Sequence, residues 1–332
     1  MNNMNPVSIN PKLYDKDVEQ FPIRKGFGEG LLQAGEEDHR IVALCADLTE
    51  STMIHLFRNR FPERYVQVGI GEQSMASVAS GMAAMGKIPF FSSYAMFSPG
   101  RNWEQIRTTI AYNNVNAKIV GSHAGISVGP DGGTHQAIED VGLMRMIPRM
   151  TIVCPCDTIE AKKATLAAAK YDGPVYIRLA REGTPVVTTA DTPFEIGKAQ
   201  LFYAPKEGMG LRVGIIASGS IVHNAMFAAR RLEEEGIGAK VINLPTVKPL
   251  DEEAVLRLAE ETGAIVTVEE HQIKGGMGSA VAEFLARTRP TKQEFIGVND
   301  LFGQSGTPTE LIEHYGMGVG AIVDAAKKVI AR

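Results

Sequence analysis

The feature that most limits what this chain can fold into is a rhythm. Short apolar runs alternate with longer helical patterns: "RIVALCADL" (40–48), "RYVQVGI" (64–70), "KIPFFSSY" (87–94), "NAKIVGSH" (116–123), "MTIVCP" (150–155) and "GPVYIRLA" (173–180). Between them lie the helical stretches Ser74–Met85, Asn102–Tyr112 and the alanine-rich Thr158–Lys170. Continuous apolar strands alternating with helices belong in an α/β fold, a parallel sheet covered on both faces. "EGTPVVTTADTPFEIG" (182–197) has two prolines and reads as a linker. A second α/β unit follows it. "LRVGIIASGS" is a strand ending in a glycine turn, and the amphipathic "IVHNAMFAARRLEEEG" is closed by Gly236. "AKVINLP", "AIVTVEE" and "QEFIGV" supply further strands, with helices from Asp251 and after "KGGMGS". Thr307 and Pro308 set a cap and a first-turn proline before "TELIEHYG". The expected layout is an N-terminal arm (1–19), a first domain (20–185), a linker (186–197) and a second domain (198–332).

Composition removes several classes of function. The 332 residues are 44% hydrophobic, enough for two domains with cores of their own. A formal net charge of −4 leaves no basic footprint for nucleic acid. No apolar run reaches membrane-spanning length, and the polar start has no signal-peptide shape, so a soluble cytoplasmic protein is expected. Cys45, Cys154 and Cys156 are the only cysteines; they lack zinc-ligand spacing and read as buried thiols in a reducing compartment. No histidine–cysteine cluster points to a metal site in the chain itself.

In open parallel sheets ligands sit beyond the carboxyl ends of the strands. Applied to these strands, that rule gathers Asp47, Glu72, Tyr94, His123 and Arg181 on one rim. The loop "SHAGISVGPDGGTHQAIED" (122–140) adds Asp131 and His135, and its four glycines suit close approach to a ligand. Each residue also has a plainer reading. Glu72 at a helix start is favoured by the helix dipole alone. His123 could be satisfied at its strand end, and Asp131 and His135 could bond within their own loop. Asp47 and Ser51 could be turn and cap residues. Trp103 and the aromatics Phe90, Phe91, Tyr94 and Phe97 could all be core.

Together these motifs resemble the C-terminal half of transketolase, the pyrimidine-binding domain plus the C-terminal domain. "QVGIGEQSM" looks like the turn carrying the glutamate that activates thiamine diphosphate. "SHAGISVGPDGGTHQAIED" looks like the substrate loop, "CADLTES" like the stretch after the first strand, and "FGQSGTPTELIEHYG" like the closing segment. The resemblance covers about residues 20–332. It implies a thiamine diphosphate-binding fold followed by a smaller mixed-sheet α/β domain. The family's diphosphate-binding half, with its Gly-Asp-Gly element and metal-binding asparagine, has no counterpart here. The chain therefore resembles one subunit of a split transketolase. The implied partner is an N-terminal-half subunit that holds the diphosphate and most of the Mg2+ coordination, in an α2β2 assembly.

On this resemblance Glu72 hydrogen-bonds N1′ of the aminopyrimidine and activates the cofactor for attack on a ketose carbonyl. Tyr94 and Phe97 match two of the aromatics around that ring; the third falls near Pro99 and Gly100. Arg24, Ser51, His123 and Arg181 match phosphate-binding residues, and two guanidiniums suit a sugar phosphate dianion. Asp131 matches the residue that reads a donor hydroxyl, and His135 the one that reads the donor near its terminal hydroxyl and carbonyl; with Glu72, His123 and His135 are the implied catalytic residues. Asp47 is placed near the thiazolium or at the interface. The implied reaction moves a two-carbon ketol unit from a ketose phosphate to an aldose phosphate, using the usual pentose phosphates or a specialised branched sugar phosphate. The alternatives are the beta subunit of a 2-oxoacid dehydrogenase decarboxylase, a deoxyxylulose-phosphate synthase-like enzyme, and a binding module that kept the fold. Asp131, Thr134, His135 and Arg181 favour transketolase over the first, His123 and "THQAIED" over the second, and the set together with Glu72 over the third.

Overall fold

The computed structural model describes residues 5–332; the first four residues of the expected arm lie outside them. All six strands expected in the first domain are present in one seven-stranded sheet. Its order is Thr246–Lys248, Thr151–Val153, Val175–Arg178, Lys118–Ser122, Ile88–Tyr94, Ile41–Cys45 and Tyr65–Gln67. All neighbours pair in parallel except the first, an antiparallel edge strand lent by the second domain. The run Ile41–Cys45 is buried at every position, because helices cover both faces of the sheet. One face carries the helices Ile23–Glu37 and Thr158–Lys170. They lie so close that a Cβ on Gly26 would sit 1.8 Å from the Thr158 carbonyl oxygen. The other face carries the helix Glu72–Ala84 and the turn-and-helix segment 103–111.

The second domain is a smaller mixed sheet, in the order Lys292–Val298, Ala264–Gln272, Leu211–Ser218, Gly238–Asn243 and Gln200–Tyr203. Only the last strand is antiparallel. The Thr307 cap forms a full capping box with Glu310, and Gly236 turns the chain at φ 80°. The edge strands Gln200–Tyr203 and Thr246–Lys248 and the last helix Val319–Ala331 were not anticipated from sequence.

Each domain has an apolar cluster of its own, and a third is shared between them. The shared cluster runs from Leu44, Phe91 and Ile119 of the first sheet to Ile216, Ile242 and Phe284 of the second domain. The 186–197 stretch is correspondingly not loose. Asp157, fully buried at the start of the Thr158–Lys170 helix, accepts from Glu160 N at 2.8 Å, Val187 N at 2.8 Å, Thr188 N at 2.5 Å and the Thr188 hydroxyl at 2.9 Å. Glu160 beside it accepts from Cys156 N and from Asn243 Nδ2 of the second domain, both at 2.7 Å. Burial, with the nearby Asp157 charge, pushes its carboxyl up to about 7. The expected arm is also anchored in its described part, where Leu13 is fully buried against the second domain's core.

Asp157 thus caps a helix and fastens the interdomain segment at once. Asp157→Ala removes the cap and leaves buried N–H groups without partners, an expected loss of roughly 3 kcal/mol in urea unfolding. Cleavage within 186–197 by a dilute protease should rise with it. A loss below about 0.5 kcal/mol, the scale of an ordinary surface substitution, would show the segment is held by other means.

Candidate active site

Glu72 is the first residue of its helix, and its side chain is 2% exposed. A residue that merely complements a helix dipole has no reason to be dry. Its Oε2 accepts from Arg101 Nη1 at 2.9 Å, and no hydrogen bond to its Oε1 is found among the described residues. Its backbone carbonyl accepts from Asn102 Nδ2 at 3.0 Å. Asn102 is itself fully buried and also donates to the Ser98 hydroxyl at 3.1 Å. The turn after the Ile88–Tyr94 strand is therefore tied to the turn that carries Glu72.

That turn also carries an aromatic wall. Tyr94 and Phe97 stack at 5.9 Å between ring centroids, and the His123 ring lies on Tyr94 at 3.8 Å. His135 meets both rings edge-on, at 6.2 Å from Tyr94 and 5.4 Å from Phe97. The Arg101 guanidinium covers Phe97 at 4.9 Å, which links the wall to the Glu72 carboxylate. His123 is brought into this cluster by a left-handed backbone, φ 55°, at the end of its strand. Its Nδ1 is 2.9 Å from the Ser122 hydroxyl. Burial, with the positive charges of Arg24 and Arg181 and the neighbouring His135, pushes its imidazole down to about 3, so it is neutral at ordinary pH.

Beyond the histidines the rim becomes cationic. Arg24 donates to the carbonyl of Arg181, placing two guanidinium side chains together. Arg181 donates to Val128 O at 2.7 Å and lies 3.8 Å from Asp131 and 3.2 Å from Glu182. Arg24 keeps a buried Nε with no partner, and burial lowers its pKa, with Glu182 opposing and Arg181 adding to the effect. An unsatisfied buried donor beside a second arginine favours an oxyanion.

The 122–140 loop differs from its sequence reading in what approaches its glycines. A Cβ on Gly125 would meet Glu270 at 2.3 Å, one on Gly132 would meet Ser305 at 2.6 Å, and one on Gly133 would meet the Gly303 carbonyl at 2.6 Å. These glycines admit the second domain. Gln136 fixes the contact by donating to Ile126 O and Gln304 O, both at 3.0 Å. Glu72, Tyr94, Phe97, His123, His135, Arg24, Arg181 and Asp131 thus form one connected rim. Asp47 and Ser51 lie in the loop after Ile41–Cys45. Asp47 is exposed, with φ 58°, and its N–H donates to Gln67 at 2.8 Å; among the described residues no hydrogen bond or ion pair joins either residue to the cluster. Arg101 and Asn102 were missed from sequence. The available signal was an arginine four residues after Phe97, in a stretch otherwise made of turn residues.

The dry carboxylate with one oxygen unbonded, next to a flat aromatic wall, fits a planar nitrogen heterocycle. Among the described residues no group of three or more His, Cys, Asp or Glu is arranged to hold a metal, and no helix is long and apolar enough to cross a membrane. All three cysteines are free and buried.

A fold of two α/β domains with this rim is that of the transketolases, and comparison with known proteins agrees. Residues 19–186 match the transketolase pyrimidine binding domain, and residues 203–322 match the transketolase C-terminal domain. The chain belongs to the transketolase family. Within it the chain corresponds to the C-terminal half, the form found as one subunit of split transketolases. It is 42% identical to a putative transketolase C-terminal section of Methanocaldococcus jannaschii, over 89% of this chain and 92% of that protein. It is also 42% identical to the 6-deoxy-6-sulfo-D-fructose transketolase subunit SqwH of a Clostridium species, over 96% and 98% of the two chains. A solved structure titled split gene transketolase, inactive beta4 tetramer, shares 43% identity at a TM-score of 0.86, covering 94% of this chain and 99% of that one. Human transketolase is 33% identical across 95% of this chain, which spans only 50% of that protein.

The environment of His123 makes a pH prediction. In the unfolded chain its imidazole protonates near 6.5, and in the folded chain only near 3. Lowering the pH from 6.5 towards 3 therefore favours the unfolded state, and His123→Asn should flatten that part of the stability profile. An imidazole NMR titration should find the His123 ring unprotonated from pH 8 down to 5. A midpoint between 6 and 7 would remove the cationic, buried setting just described.

Proposed function

We propose that this chain is the cofactor-activating subunit of a two-chain, thiamine diphosphate-dependent transketolase, which passes a two-carbon ketol unit from a ketose phosphate to an aldose phosphate. The observation that carries this reading is the dry Glu72 carboxylate, with Oε1 unbonded, on the same rim as the Arg24–Arg181 pair. When bound, thiamine diphosphate supplies a nucleophilic carbon and an electron sink for the ketol fragment. Glu72 holds and returns a proton at N1′ of the aminopyrimidine. Tyr94 and Phe97 pack against that ring and exclude water. His123, which is neutral here, and the His135 ring offer N–H groups to the donor's oxygens, and Asp131 accepts from a donor hydroxyl. Arg24 and Arg181, with Ser51 on the neighbouring loop, take the terminal oxyanion. Asp47 is assigned to the thiazolium side.

The diphosphate and its Mg2+ fall to a partner, an N-terminal-half subunit, in an α2β2 complex. Support for a partner surface comes from large apolar side chains left exposed at the two ends of the Glu72 helix, Ile70 at 76% beside the site and Met85 at 85% at the far end. Relatives named for a sulfonated ketose and for apulose 4-phosphate make a specialised donor a reasonable assignment beside the pentose phosphates.

The test is reconstitution with a candidate partner, then ketol transfer from xylulose 5-phosphate to ribose 5-phosphate. The single chain should be inactive with cofactor and magnesium; full activity alone would reject the two-chain reading. In the complex, Arg181→Ala should raise KM for a phosphorylated donor by about 30-fold, the scale of about 2 kcal/mol for a truncated charged partner. Hydroxypyruvate, which has no phosphate, should be affected little. Equal losses on both donors would take Arg181 out of the oxyanion site. Glu72→Gln should leave the complex assembled but slow exchange of the cofactor C2 proton by roughly 10²–10⁴-fold.

A further inference from the structure

Arg101 has no role assigned so far, and three observations converge on it. Glu72 is a buried carboxylate whose one charged hydrogen-bond partner is Arg101, through Oε2 alone. The Arg101 guanidinium lies on Phe97, at the side of the wall where a third ring is expected. That ring has no seat at Gly100, where a Cβ would stand 2.0 Å from the Met96 carbonyl oxygen. A side chain at 100 is excluded by the turn itself, and the next residue supplies a flat cation instead.

From this we propose that Arg101 is a positioning residue for Glu72. It holds the carboxylate through Oε2 so that Oε1 faces the pyrimidine, and its planar head closes the pocket beside Phe97. The arrangement has two fixed points. Fully buried Asn102 holds the backbone carbonyl of Glu72 at 3.0 Å, and Arg101 holds the side chain at 2.9 Å. With both ends held, the buried carboxylate has one place to be, and the binding of a ring at Oε1 need not order it. The Arg101 side chain itself is half exposed, at 50%, so its charge is solvated on the side away from Glu72 and the pair avoids the full penalty of a buried ion pair. This inference rests on the proposed function, in that the pyrimidine is the ligand that Oε1 would meet.

The test is a double-mutant cycle in the reconstituted complex, read as thiamine diphosphate affinity by calorimetry rather than as turnover. Arg101→Met keeps a flexible apolar side chain on Phe97 and removes the charge. With Glu72 intact it should weaken cofactor binding by about 10-fold, a coupling in the range found for contacting charged residues. In the Glu72→Gln background the same change should cost less than about 3-fold, because the carboxylate through which Arg101 acts is gone. Arg101→Lys, which keeps the charge, should restore part of the affinity. A role confined to packing on Phe97 would give equal losses in both backgrounds, and that result would overturn the proposal. Tighter binding by Arg101→Met would overturn it too, since Arg101 would then be competing for the carboxylate. A wild-type complex that binds no thiamine diphosphate would overturn the proposed function and this inference with it. Loss of the coupling alone, with Glu72→Gln still blocking C2 exchange, would overturn only the role of Arg101.

Discussion

The ion pair of Arg178 with Asp140 is the interaction on which the rest of the structure turns. Both residues are nearly fully buried, and Arg178 Nε donates to Asp140 Oδ2 at 2.8 Å. Burial pushes the Asp140 carboxyl up, but Arg178, with His271 and the Tyr176 hydroxyl, pulls it below its ordinary value. Such a pair is stable in a dry interior only when its remaining hydrogens find acceptors. Here the second arm of Arg178 donates to Ala137 O at 3.1 Å and to Glu270 O at 2.8 Å, and Tyr176 donates to Asp140 at 2.6 Å. A single guanidinium therefore ties a sheet strand, the end of the 122–140 loop and the Ala264–Gln272 strand of the second domain.

That node explains why the loop carrying part of the rim depends on both domains. Glu270, whose backbone Arg178 holds, turns its carboxylate to Ser127 N and to the Ser220 hydroxyl, clasping the loop from the second domain's side. The segment 303–308 closes over the same loop through Gln136, Gly132 and Gly133. Asp131 and His135 lie on the same loop. Their own partners, Arg181, Tyr94 and Phe97, are in the first domain, while their neighbours Gly132, Gly133 and Gln136 meet second-domain atoms. The shared apolar core beneath makes relative motion of the domains costly, since parting them would expose Leu44, Phe91, Ile242 and Phe284 together.

Much of this was legible in the sequence, for identifiable reasons. Strands buried on both faces leave uninterrupted apolar runs, so all six strands of the first domain could be placed, and the Thr158–Lys170 helix is observed at those bounds. The strand-end rule gathers Glu72, Tyr94, His123 and Arg181 from the sequence, along with Asp47, which bonds instead to Gln67. What could not be read was partnership. Gln200–Tyr203 and Thr246–Lys248 are short edge strands whose pairing depends on residues far along the chain. The glycines of the 122–140 loop signalled close approach correctly in kind, but the approaching atoms belong to the second domain. The linker composition of 186–197 concealed the Asp157 clasp, because a buried acceptor for backbone N–H groups leaves no periodicity. Arg101 was hidden for a similar reason: one arginine in a turn carries no pattern, and only its distance to Glu72 gives it meaning.

The division between rigid and open parts of the molecule follows from these constraints. Everything that positions the Glu72 turn is internal: Asn102 on its backbone, Arg101 on its carboxylate, and Met75, Ala76 and Ala79 of its helix sunk against the sheet. The opposite face of that helix carries Gln73, Ser74, Ser77, Val78 and Gly81, all exposed, and Ile70 stands bare at its start. A carboxylate kept dry within one chain, at the edge of an uncovered face, is organised before anything meets that face. On the proposed function, a second subunit arriving there need supply only the ligands this chain lacks, because the Glu72 carboxylate is already held. The small side chains along the exposed face permit such close approach, and the ordering of the acid is carried by bonds that the chain makes with itself.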